Sequence, residues 1–159
     1  MERQRIELSV TSSAATLNVA DRIATTPEIF RWLVVVALAA AIFALSIVPG
    51  EPRPGDSAFA WAVAETPTVI QKAMHIAIYG LLTVSLVWAM QSSQVSNLGV
   101  AMRAVSLAIA FGALLEWIQL HVPGRFGNVY DVALNSTGAI CGLFIAARIR
   151  RIARARPDT

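Results

Sequence analysis

Charge is what this chain has least of: Asp, Glu, Lys and Arg make up 14% of its 159 residues, against a hydrophobic share of 56%. Together with a mean hydropathy of +0.60, this excludes an ordinary soluble domain and points to a membrane protein. There is a single cysteine, Cys141, inside an apolar run, so no intrachain disulfide can form and cysteine usage says nothing of the redox compartment. Only two histidines are present. No His-rich or Cys-rich metal motif exists, and neither a metal nor another cofactor is expected. The net charge of +3 reflects basic residues at the chain ends, beside apolar runs. Retention on the cytoplasmic side accounts for them, and nucleic acid drops out as a partner; membrane lipids remain.

What the chain does have is four long apolar runs. They predict an all-α membrane protein, with four transmembrane helices in an antiparallel bundle at about 32–48, 73–90, 99–120 and 129–147. Residues 1–28 read as a polar cytoplasmic tail, 29–148 as one membrane domain and 149–159 as a basic cytoplasmic tail. The first run lies far into the chain, is longer than a usual signal-peptide core and lacks a clear cleavage site, so it is expected to stay as a helix. Between the first two runs, Ala58 to Ala64 is apolar but too short to span. It reads as an interfacial turn of helix anchored by Trp61.

Orientation follows from the arginines. Arg3, Arg5, Arg22 and Arg31 precede the first run, Arg103 lies by the second connection, and Arg148, Arg150, Arg151, Arg154 and Arg156 follow the last. The positive-inside rule therefore puts both termini in the cytoplasm, and the opposite connections, with Arg53, Lys72 and Arg125, outside. Arg103 and Glu116 are separated by about 20 Å of helix, less than the roughly 30 Å hydrocarbon core. Arginine can snorkel and the shorter glutamate cannot, so Glu116 is expected below the outer interface, where it needs a partner or a proton.

Three polar stripes lie at matching depth. Lys72, His75 and Tyr79 share one side of the second helix, Gly112, Glu116 and Gln119 one side of the third, and Asp131, Asn135, Gly138 and Gly142 one side of the fourth. One shared cavity near the outer face is the expectation. Gly138 and Gly142 form G-x-x-x-G, read as close helix packing and not as chemistry.

With K-A-M-H-I-A-I-Y from Lys72, E-W-I-Q-L-H-V-P-G-R from Glu116 and D-V-A-L-N-S-T-G-A-I-C-G from Asp131, the chain resembles the VanZ-like family. These are small multi-pass bacterial membrane proteins named for a member linked to resistance to the glycopeptide teicoplanin. The resemblance covers Lys72 to Gly142, with S-I-V-P-G at the end of the first helix as a weaker echo. It implies the functional residues Lys72, His75, Tyr79, Glu116, Gln119, Pro123, Arg125, Asp131, Asn135 and Gly138, and a place in the bacterial cell membrane. It supplies no reaction.

The residue types leave alternatives open. Glu116 is the leading candidate for acid–base chemistry, beside a structural ion pair with Arg125 or Lys72. Arg125 offers a planar fork of donors for a phosphate or carboxylate, or else holds Asp131. His75 can move a proton or serve as a hydrogen-bonding residue; His75, Glu116 and Asp131 are the one set that could ligate a metal. Asp131 reads chiefly as the cap of the fourth helix, but it is also expected to line the cavity and stands with Glu116 and His75 as a candidate to move protons. Lys72 is expected to hold an anionic group together with Arg125; Gln119, Asn135 and Tyr79 are expected to bind substrate or to hydrogen-bond between helices, and His121 to be a solvated loop residue. Two functions are compatible with this set. One is an enzyme acting at the outer leaflet on an anionic lipid-linked or amphiphilic envelope substrate; the other is a protein that only binds a lipid headgroup or a glycopeptide.

Overall fold

In the computed structural model the described residues are 26–91 and 96–155. Most of the expected N-terminal tail, the connection at 92–95 and residues 156–159 lie outside them, and with them Arg3, Arg5, Arg22 and Arg156 of the orientation reading. The described chain is all-helical, with α1 Glu28–Ser46, α2 Ala58–Ala64, α3 Thr68–Ala89, α4 Asn97–Gln119 and α5 Val129–Ala155. All but α2 are long and apolar enough to cross a membrane. The expected four-span, all-α architecture is present.

The boundaries move toward capping chemistry. A hydropathy reading places α3 from Ala73, but it starts at Thr68, directly after Pro67, because proline is tolerated at a helix start where its missing N–H is not needed. α1 starts after Pro27 in the same way. Ser96 opens α4 by accepting the Gly99 N–H at 3.1 Å, and Ser57 opens α2 by accepting the Ala60 N–H at 3.3 Å. At the other end, α5 passes the expected stop at 147 and runs to Ala155. Its Ala- and Arg-rich ending consists of good helix formers, so leaving the apolar run does not end the helix.

Helices α3 and α5 lie side by side and run in the same direction, and α1 and α4 run against them. The small residues set this contact. A β-carbon on Gly142 would collide with the Gly80 backbone, one on Gly138 with the Ile76 backbone, and one on Gly80 would sit 3.2 Å from the Gly138 carbonyl oxygen. The G-x-x-x-G face is thus a backbone-to-backbone seat, as the packing reading has it. Leu82, Leu115, Ala104, Ala108 and Ala139 fill the core around it. By contrast α1 buries only Val35 and Ile42.

Two arginines fasten the end of the bundle where α3 finishes. Arg31 Nη1 donates to the carbonyls of Trp88 and Gln91 at 3.1 and 3.4 Å, and Arg150 Nη2 donates to that of Val87 at 3.1 Å. Helix C-termini expose unpaired carbonyls and carry partial negative charge, which cationic donors satisfy.

Candidate functional site

At the opposite end, where α3 and α5 begin, the chain must place a carboxylate, an arginine and an imidazole among apolar helices. The two loops there are pinned to each other. Gly50 donates its N–H to the Pro123 carbonyl at 3.1 Å, and Arg125 donates Nε to the Val48 carbonyl at 2.9 Å. Gly124 has φ +69°, a conformation that side chains rarely adopt, and a β-carbon on Gly50 would overlap the Gly124 carbonyl. The S-I-V-P-G segment therefore works as the clamp that aims Arg125.

Glu116 is 5% exposed and Asn135 is 1% exposed. The Glu116 carboxylate accepts the Asn128 N–H at 3.1 Å, which ties the end of α4 to the first residue before α5. Asn128 in turn caps α5, its Oδ1 accepting the Tyr130 N–H at 2.9 Å. This corrects the expectation for Asp131: it stands in the first turn, favoured there by the helix dipole, but the side-chain cap is Asn128. Replacing Asn128 with Ala is expected to cost about 1 kcal/mol, read as a lower unfolding midpoint in mixed micelles. An unchanged midpoint would remove the cap from the account.

The Asn135 amide bridges helices. Its Oδ1 lies 2.8 Å from His75 Nδ1, and its buried Nδ2 has no acceptor at hydrogen-bonding distance while the side chain interacts with Glu116. The donor end of an amide belongs toward a carboxylate, so the oxygen must face the imidazole. His75 therefore donates from Nδ1, and Nε2 is left as the nitrogen available to a ligand. The buried Asn135 amide thus links His75 to the surroundings of Glu116.

His75, Tyr79, Glu116, Gln119 and Arg125 line one cavity of about 120 Å³, with Gln71, Thr66 and Ser46 adding polar atoms and Ile42, Leu45, Val63, Met74 and Ile78 apolar ones. Asn135 stands behind it, through His75. Asp131 is half-buried and close enough to Glu116 to act on it electrostatically, but it is not among the cavity-lining residues. Lys72 is exposed and does not line the cavity either. Burial holds the Arg125 guanidinium below its ordinary range, and the Glu116 charge opposes that shift. No group of three His, Cys, Asp or Glu residues able to hold a metal comes together among the described residues.

Sequence reading missed Ser46, Thr66 and Gln71 in the cavity and Asn128 at the cap. Asn128, standing just before an apolar helix start, carried an N-cap signal. The other three carried none, since a lone Ser, Thr or Gln in a loop or in the end turn of a helix is ordinary.

A family model described as VanZ/LLP1 matches residues 8–151. No curated protein and no solved structure matches the chain.

Proposed function

The chain belongs to the VanZ-like family, and from that premise we propose that it is a multi-pass protein of the bacterial cytoplasmic membrane whose polar cavity receives the anionic headgroup of an amphiphilic envelope substrate. The observation that carries this reading is the pairing of a half-buried Arg125 with apolar walls in one cavity. An anion can meet the guanidinium fork while the tail of the same molecule stays among Ile42, Leu45, Met74 and Ile78. Cavity size narrows the ligand. About 120 Å³ is room for a phosphate-sized group. A drug-sized ligand fills about 300 Å³ or more. A lipid-linked headgroup therefore fits better than a whole glycopeptide, and a link to glycopeptide resistance would run through the envelope precursor.

Within this cavity Glu116 or His75 supplies the proton-transfer group if a reaction is catalysed, and Gln119 and Tyr79 orient the ligand. A binding-only role has its own support, because Glu116 already serves the Asn128 N–H as a structural acceptor. Asp131 acts on Glu116 through its charge. The positive-inside count of the sequence supports an outer-face position for the cavity.

Native mass spectrometry of the full chain released gently from its own membrane tests the reading. The wild-type protein is expected to retain an anionic amphiphile and Arg125→Ala to retain about tenfold less, the effect of one charge-assisted contact. Equal retention by both folded proteins, or a bare wild type, would overturn it.

A further inference from the structure

The cavity beside Arg125 presents a cation and a carboxyl group that do not pair with each other. Arg125 spends Nε on the Val48 carbonyl and Glu116 spends Oε2 on the Asn128 N–H. Among the described residues no hydrogen bond joins the two, although the Glu116 charge acts on Arg125. Gln119, 7% exposed, and Tyr79, 3% exposed, line the same space, and no protein group among the described residues bonds the Gln119 amide or the Tyr79 hydroxyl. The fully enclosed polar atoms without partners lie elsewhere, Asn135 Nδ2 being the one next to this site, so these groups open into the cavity. Polar groups buried this deeply are costly until something completes them.

The pattern of donors and acceptors constrains what that is. Arg125 can only donate, an ionised Glu116 can only accept, and a neutral His75 that donates from Nδ1 accepts at Nε2. A group that only accepts, such as a phosphate diester, would set its oxygens against the carboxylate. The set is spanned by an anion that carries its own donor. In about 120 Å³ that donor has to sit on the anionic group itself, as the P–OH of a phosphate monoester does.

We propose that the headgroup received by this cavity is a terminal phosphate monoester, its charged oxygens on the Arg125 fork and its P–OH donating to Glu116. Gln119 and Tyr79 hydrogen-bond the remaining oxygens. This rests on the reading of the cavity as an anion site and adds to it the class of anion.

The test is lipid retention by the full-length protein in nanodiscs holding equal amounts of phosphatidic acid, phosphatidylmethanol and phosphatidylethanolamine with the same acyl chains, read by native mass spectrometry. The wild type is expected to hold phosphatidic acid about tenfold over phosphatidylmethanol, the effect of one charge-assisted hydrogen bond. Glu116→Gln turns the acceptor into a donor, so it should retain both lipids alike; a preference that came from charge alone would grow in that variant. Lys72→Gln, at an exposed position outside the cavity, should keep the preference. Retention of neither anionic lipid by the folded wild type would defeat the anion site itself. Equal retention of the two would leave the anion site standing and overturn the monoester assignment. An unchanged preference in folded Glu116→Gln, or its loss in Lys72→Gln, would overturn the assignment too, and phosphatidylethanolamine held above both would give the donor to an ammonium instead.

Discussion

Gly142→Ile is expected to abolish the folded bundle. The first atom of any side chain at Gly142 would lie inside the backbone of Gly80, whose C and Cα are each only 2.9 Å from that point. Overpacking a core usually costs about 1–3 kcal/mol because flexible side chains make way. Here the obstacle is main chain in the middle of α3, so α3 and α5 must separate along their whole contact. Separation would break the His75–Asn135 hydrogen bond and the Arg150–Val87 contact together. A loss of several kcal/mol would consume most of a typical folding free energy of about 5–15 kcal/mol. Gly142→Ala should give a smaller loss of the same sign. Fluorescence-detected gel filtration and denaturation in mixed micelles read both effects. A wild-type midpoint for Gly142→Ile would mean that the two helices do not meet at these glycines.

Glu116→Leu and Glu116→Gln are expected to part company. Leucine leaves the Asn128 N–H without its carboxylate acceptor, at about 1–3 kcal/mol for the stranded group. Low membrane abundance and an unfolding midpoint far below wild type are the expected result. Glutamine keeps an oxygen for Asn128, so Glu116→Gln should fold and retain the cavity ligand. If Glu116 moves a proton, that folded variant loses activity on the envelope substrate by about 10²–10⁴-fold. An envelope phenotype that survives in Glu116→Gln at normal abundance would defeat the acid–base role and leave Glu116 as the acceptor that holds α4 to α5.

The sequence made the spans legible because each is a long apolar run, and hydropathy needs no knowledge of neighbours. It also marked out most of the polar lining of the cavity. His75, Tyr79, Glu116, Gln119 and Arg125 were all candidates, since polar groups in apolar surroundings stand out. What it could not supply were relations across helices. Asn135 was visible as a polar residue, but its place between His75 and Glu116 depends on the register that Gly80, Gly138 and Gly142 set. Lys72 shares a stripe with His75 by spacing, yet a stripe is wide and its edge turns outward; in the fold Lys72 is exposed. The early start of α3 was hidden because Thr68 to Lys72 is a mixed polar turn whose helix is begun by the proline before it. The long reach of α5 was hidden because hydropathy registers where a helix leaves the apolar layer and not where it stops.

Helix α1 is fixed at its ends and little held between them. Near one terminus Arg31 grips the last turn of α3; just past the other, Val48 and Gly50 are bound to the Pro123–Arg125 turn. Its middle fully buries only Val35 and Ile42, with Trp32 and Leu38 packed against the core and partly exposed. Such a segment behaves as a bow strung between two anchors. Substitution among apolar residues along its span can be absorbed, while a change at either anchor shifts the wall that Ile42, Leu45 and Ser46 contribute to the cavity. The tolerance of this helix for apolar substitution and its authority over the shape of the cavity therefore reside in different residues.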